Sequence, residues 1–241
     1  MQRRLLVTGG CGFIGSNFIR FIIRNRPQWG IVNLDLLTYS GNLENLAEVE
    51  NSPRYRFVHG DINDRQLVDG LIAGCDWVVH LAAESHVDRS LLNPRLFVET
   101  NVLGTQNLLE SVRQAGGRRF VHVSTDEVYG SLPLEDHTLK FTEESPLCGN
   151  SPYSASKAAS DMFAQSYHHT FGLEVMITRC SNNFGAYQFP EKVIPLFVTN
   201  LIGKQKVPLY GDGRNVRDWL HVDDHCEAIL AVLEQIGRAH V

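Results

Sequence analysis

Short apolar runs and longer amphipathic stretches take turns along the chain, and their periods predict its elements. Residues 4–8 form an apolar run, and residues 12–26 repeat their apolar positions at helical spacing until Pro27 stops the pattern. Residues 31–35 and 55–59 read as the second and third strands, 64–73 as a helix and 77–81 as the fourth strand. A long helix over 93–115 is closed by Gly116 and Gly117, and residues 119–124 read as the fifth strand. The helix over 151–171 has Pro152 at its first position and Gly172 just past its end, and residues 173–179 are the sixth strand. Strands that are apolar throughout and separated by helices predict a parallel sheet covered on both faces. The fold class is therefore α/β, a Rossmann-type doubly wound parallel sheet. Residues 1–180 carry it, and the loop-rich stretch 181–235 reads as a smaller, incomplete substrate-binding part. Near its end Val222 closes a strand and Asp223 caps a helix. Residues 236–241 match what a common sequencing adapter encodes and read as an artefactual tail.

Composition narrows the function classes. At 241 residues the chain holds one large domain, or one domain and part of another. A net charge of −5 offers no basic footprint, so nucleic acid is not expected as a partner. No apolar run spans a bilayer and the N-terminus lacks a signal peptide's apolar core, so the expectation is a cytoplasmic protein with no membrane partner. The five cysteines form no C-x-x-C pair and read as free thiols. His221 and His225 flank Asp223 and Asp224, but a helix start explains them better than a metal, and no metal is expected.

The candidate chemistry sits where strands end. Gly9, Gly12 and Gly15 follow the first strand and open a helix. Such glycines let a backbone approach a pyrophosphate, and the helix N-terminus offers N–H groups and positive dipole. Asp35 ends strand two, 20 residues past Gly15, where an acid accepts hydrogen bonds from ribose hydroxyls and repels a 2′-phosphate. This predicts NAD rather than NADP. Asp61 and Ile62 close strand three, at the adenine edge, and Leu81, Ala82 and Ala83 close strand four.

Tyr153 and Lys157 lie four apart on one helical face. An ammonium beside a phenol, with a cationic nicotinamide, is expected to lower the phenol's pKa and make it a base. Ser124 and Thr125 at the end of strand five can hydrogen-bond the reacting oxygen. This pattern resembles the short-chain dehydrogenase/reductase superfamily. Asp126 and Glu127 follow directly, and for both to reach one substrate the chain must leave strand geometry after Thr125. Two adjacent carboxyls in a dry cleft ionise unequally, one serving as acid and one as base.

The resemblance then tightens. Residues 125–130 (Thr-Asp-Glu-Val-Tyr-Gly), 151–158, 82–90, 190–195, Asn182-Asn183 and 217–219 are similar to the signatures of dTDP-glucose 4,6-dehydratases, over residues 4–234. It implies that Tyr153 takes the C4 hydroxyl proton while NAD accepts hydride, with Lys157 beside it. Glu127 then removes the C5 proton, Asp126 protonates the departing C6 hydroxyl, and Thr125 holds the C4 oxygen. It also implies NAD contacts at Phe13, Ile14, Thr38, Ser85, Thr100 and Asn183, beside those named above. Nucleotide-sugar contacts are implied at Ser85, Asn182, Lys192, Val193, Pro208, Leu209, Tyr210 and Arg217. The implied substrate is dTDP-glucose, and the two long helices resemble those that pair subunits into a homodimer. Ala186 replaces a usual proline, Leu36 replaces a frequent lysine, and the family's C-terminal portion is expected to be missing. The rival readings are a UDP-glucose 4-epimerase, a UDP-sugar dehydratase, or a non-catalytic NAD sensor. An epimerase needs no acid for a leaving hydroxyl, and a sensor has no use for Tyr153 and Lys157.

Overall fold

A computed structural model of the chain describes residues 3–235, His137 and Tyr210 apart, so the expected tail at 236–241 lies outside the described residues. Six strands form one sheet: β1 (Arg3–Thr8), β2 (Trp29–Asp35), β3 (Tyr55–His59), β4 (Trp77–His80), β5 (Arg119–Thr125) and β6 (Val175–Cys180). Every pairing is parallel, in the order β3-β2-β1-β4-β5-β6. The order reverses between β1 and β4, which opens a crevice at the carboxyl ends of the strands.

Two apolar layers cover the sheet. On one face, α1 (Phe13–Asn25) and α8 (Val222–Glu234) bury Phe18, Ile19, Ile22, Ile229 and Leu233. On the other, α2 (Arg65–Ala73), α5 (Thr105–Gln114) and α6 (Pro152–Phe171) bury Ile72, Leu108, Val112 and Tyr167. The start of α6 is fixed by a reciprocal cap. Ser151 accepts from the Ser154 backbone while Ser154 Oγ accepts from the Ser151 backbone, and Gly172 ends the helix in the left-handed region at φ 69°.

Two sequence expectations need correction. The helix over 93–115 is not uniform: α4 (Pro94–Phe97) and α5 are joined by a π-helical turn, Val98–Gly104. The wider turn carries Asn101 inward, where its amide donates to Glu84 O (3.0 Å) and Ser156 Oγ (2.9 Å). A short helix, α3 (Val87–Leu92), precedes it. At the other end α8 begins at Val222, so its cap is His221, two residues before the expected Asp223, and Nδ1 accepts from the Asp223 N–H at 3.3 Å. Between α6 and α8 the loop-rich stretch contains β7 (Asn182–Phe184) paired with β8 (Trp219–His221), and α7 (Val193–Ile202), which buries no side chain. No helix among the described residues is long and apolar enough to cross a membrane.

Candidate active site

A cleft of about 410 Å³ runs along the carboxyl ends of the strands. Its floor is the glycine turn after β1. Gly9 has φ +70°, and a Cβ there would lie 2.6 Å from the Ala82 backbone. A Cβ on Gly15 would meet Gly9 O at 2.2 Å, so this glycine lets α1 pack onto the turn. Gly12 differs: only Gly9 O comes near, at 3.4 Å, and its cleft side is open. No side chain caps α1, so the N–H groups of its first turn, where Phe13, Ile14 and Gly15 line the cleft, are left for an anion.

Asp35 ends β2 with both oxygens aligned: Oδ2 accepts from Cys11 N and Oδ1 from Leu37 N, each at 2.8 Å. Burial raises its pKa, and these two hydrogen bonds pull against the rise. Beside it Thr38, Asp61, Ile62, Leu81, Ala82 and Ala83 line the same cleft, as do Ser85 and Thr100. A buried chain sets the turn after β4. The Thr105 hydroxyl donates to Asn101 O at 2.6 Å, so it accepts from His80 Nε2 at 2.9 Å. His80 Nδ1 then accepts from the Thr8 hydroxyl at 2.7 Å, and Thr8 Oγ1 in turn receives Ala82 N–H at 3.2 Å. Burial holds the His80 pKa well below its ordinary value, so this ring is neutral.

At the end of β5 the chain leaves strand geometry as expected. Thr125 caps a single 3₁₀ turn, Asp126–Tyr129: its Oγ1 accepts from Glu127 N at 3.2 Å and donates to Asp126 Oδ1 at 3.3 Å. Gly130 closes the turn at φ +91°. Both carboxyls face the cleft with raised pKa. For Asp126 burial is the cause; for Glu127 burial acts first and the Asp126 charge adds to it. Lys192 and Arg217 favour the ionised Glu127.

Tyr153 and Lys157 line the cleft from the first turns of α6. Here the expected pKa logic fails for the chain alone. Burial, and then the Glu127 charge, push the Tyr153 phenol well above its ordinary value. Lys157 Nζ donates to Val123 O at 2.9 Å, and burial lowers its pKa to about 8. The phenol is therefore protonated until a positive group enters beside it.

The remaining expected contacts divide. Asn182, Asn183, Lys192 and Val193 line the cleft. His225 Nδ1 holds Asn183 Oδ1 at 2.8 Å, and Lys192 Nζ donates to Ser85 O at 3.3 Å. Pro208 and Leu209 do not line it, and Tyr210 lies outside the described residues. Arg217 is off the lining, with Nη1 on Val216 O, yet its charge favours ionisation of Asp126 and Glu127. The physical reason is packing: among the described residues between 203 and 218 no side chain is buried, and the chain rejoins the cleft lining at Trp219 in β8.

Residues 6–240 match the family model described as GDP-mannose 4,6 dehydratase. A dTDP-glucose 4,6-dehydratase of Streptomyces niveus is 54% identical over 234 residues, covering 95% of this chain and 68% of that protein. A dTDP-glucose 4,6-dehydratase of Streptomyces venezuelae, solved with NAD and dTDP, superposes with a TM-score of 0.91 at 56% identity, over 95% of this chain and 72% of that one. The chain belongs to the dTDP-glucose 4,6-dehydratase family. The fold alone reaches wider: the UDP-glucose 4-epimerase of Thermus thermophilus, with NAD, gives a TM-score of 0.86 at 32% identity, over 97% of this chain and 75% of that one.

In this dehydratase-family chain several cleft residues carried no expectation. Tyr39 lies edge-on to Phe189 (5.5 Å) and beneath the Arg89 guanidinium (3.9 Å). Glu84, within the quoted 82–90 motif, is buried on the cleft wall with a pKa raised by burial. Cys180 stands beside Thr125 in the β5–β6 register, and burial pushes its thiol up to about 11. A lone side chain of these types gives no signal in a sequence; only the β5–β6 register and the 82–90 motif pointed near them.

Proposed function

We propose that this chain removes water from dTDP-glucose to give dTDP-4-dehydro-6-deoxyglucose, with NAD as cofactor. The observation that carries the reading is the Asp126–Tyr129 turn, which puts an acid–base pair of carboxyls into the cleft that holds Tyr153 and Lys157. The open Gly12 turn, the uncapped α1 and Asp35 suit a dinucleotide with a free 2′-hydroxyl. NAD, when bound, would supply the hydride acceptor for C4 and return that hydride to C6 after water leaves while C5 regains a proton, so there is no net redox change.

The chain's own groups divide the proton work. Tyr153 takes the C4 hydroxyl proton, aided by the positive charge of Lys157, and Thr125 Oγ1 holds the C4 oxygen. The C4 carbonyl acidifies the neighbouring C–H, and Glu127 removes the C5 proton. Asp126 protonates the departing C6 hydroxyl. Lys192 and Arg217 favour the ionised Glu127 against burial and the Asp126 charge, and a proton carried by Asp126 as the acid removes that opposing charge. Asn182, Lys192 and Val193 hold the nucleotide sugar, and Pro208, Leu209, Tyr210 and Arg217 are its further contacts.

The enzyme works as a homodimer in the cytoplasm. Leu91, Leu92, Leu103, Met162 and Phe163 leave an exposed apolar face on α3, the π turn and α6, and all five cysteines are free, as a reducing compartment keeps them. The decisive experiment uses Asp126→Asn and Glu127→Gln with dTDP-glucose. Both variants are expected to oxidise C4 and accumulate reduced nicotinamide, read by its absorbance, while water loss falls about 10²–10⁴-fold. Formation of the 6-deoxy-4-keto sugar at the wild-type rate in both would sink the assignment.

A further inference from the structure

The turn that presents Asp126 and Glu127 is tied from below to the helix that presents Tyr153. Asp161 stands one helical turn beyond Lys157 on α6, with its side chain fully buried. Its Oδ2 accepts from Arg179 Nε at 2.8 Å, and its Oδ1 lies 3.3 Å from His122 Nε2. Arg179, on β6, reaches onward: Nη1 donates to the Tyr129 hydroxyl at 2.8 Å, and the guanidinium lies 5.1 Å from the centre of the Tyr129 ring. Tyr129 is the last residue of the Asp126–Tyr129 turn, and its ring stacks on Phe141 at 5.1 Å. One planar guanidinium thus holds the catalytic helix with one arm and the carboxyl turn with the other.

None of Asp161, Arg179, His122 and Tyr129 lines the cleft, so none can touch substrate. A buried ion pair adds little net stability beside an apolar replacement, so what this one contributes is geometry. Tyr153 has its own supports in the Ser151–Ser154 cap and an edge contact with Phe97 at 6.2 Å. The two carboxyls are supported by Thr125 at the start of their turn, by the buried Val128, whose carbonyl accepts from Cys148 N at 2.7 Å, and by Tyr129 at its end.

We propose that Arg179 and Tyr129, backed by Asp161, are positioning residues for the elimination half of the reaction, holding Asp126 and Glu127 at the height of the sugar's C5 and C6. The inference rests on the dehydratase reading above. Removing the Tyr129 hydroxyl cuts the turn's tie to Arg179 and leaves the Asp161–Arg179 hydrogen bond and the Ser151 cap of α6 in place. A misplacement of about 1 Å costs on the order of 100-fold in rate.

The test is Tyr129→Phe in the NAD-loaded protein with dTDP-glucose, with Arg179→Lys as a second variant that keeps the charge and loses the fork. Single-turnover absorbance reads C4 oxidation, solvent deuterium reads exchange at C5, and product analysis reads water loss. In Tyr129→Phe, C4 oxidation should stay within about twofold of wild type while C5 exchange and water loss fall together by about 10- to 100-fold, so reduced nicotinamide accumulates. Arg179→Lys should show the same split. Equal losses in both halves, or no loss in Tyr129→Phe, would overturn the inference while leaving the dehydratase reading intact. If the wild-type protein itself oxidises no dTDP-glucose, the dehydratase reading falls and takes this inference with it.

Discussion

Replacing Lys157 by methionine should raise the stability of the cofactor-free chain while destroying its chemistry. Lys157 is 4% exposed, its ammonium has one hydrogen bond to Val123 O at 2.9 Å, and burial lowers its pKa from 10.5 to about 8. Below pH 8 the folded and unfolded chains both carry the proton, so the folded state bears the full cost of a buried cation. The interval from 10.5 to about 8 corresponds to about 3 kcal/mol. Methionine fills the same channel without charge but removes the donor to Val123 O, a loss of about 1 kcal/mol. The variant is then more stable at pH 7 by about 2 kcal/mol, or about 5 °C in Tm for a chain of this size. The gain should shrink as pH rises through the interval from about 8 to 10.5, because there the unfolded wild type binds more protons than the folded one and wild-type stability climbs. Urea unfolding of both proteins at pH 7 and pH 10, with C4 oxidation measured alongside, tests this. A variant less stable at pH 7, or a difference that does not change with pH, would refute the reasoning.

Three further outcomes are expected. The buried Asp35 carboxylate should make NAD bind at least tenfold tighter than NADP, about 1.4 kcal/mol, and equal affinities by calorimetry would contradict this. As the proposed base Glu127 works ionised, so activity should fall as pH drops through its raised pKa; Lys192→Met removes a charge that favours ionisation and should move this acid limb of kcat/KM to higher pH. A limb that stays in place or moves down would exclude Lys192 as its electrostatic partner. Leu92 is 87% exposed, and Leu92→Glu should shift the dimer to monomer in light scattering at micromolar concentration; an unchanged mass would show that the α3 face is not the interface.

How much of this was legible depended on how local each constraint is. The sheet was readable because strands buried on both faces, such as Arg3–Thr8 with its last four residues buried, leave nearly continuous apolar runs. The glycine turn and the departure after Thr125 were readable because a turn's demands fall on adjacent residues. The π turn was not, since one extra residue in a helix barely disturbs its apolar period; its signal is Asn101, a buried amide with partners at Glu84 and Ser156. The Asp161–Arg179–Tyr129 tie joins residues 18 and 50 positions apart, and a sequence does not show which distant charges meet.

The Tyr153 pKa went the other way for a reason that bears on mechanism. The sequence reading counted only the cations beside the phenol, whereas the folded cleft adds burial and the charge of Glu127, which both oppose a tyrosinate. Two anionic bases in one dry cleft oppose each other. The proposed mechanism resolves the conflict by using them in turn. Tyr153 gives up its proton only while a bound cationic ring and Lys157 balance the phenolate. It is neutral again once it has taken the C4 proton, and with the phenolate gone Glu127 stands as the single anionic base beside a protonated Asp126. Adjacent carboxyls alone would not impose that order; the Glu127 charge on Tyr153 does, because it makes the phenol costly to ionise while Glu127 is charged.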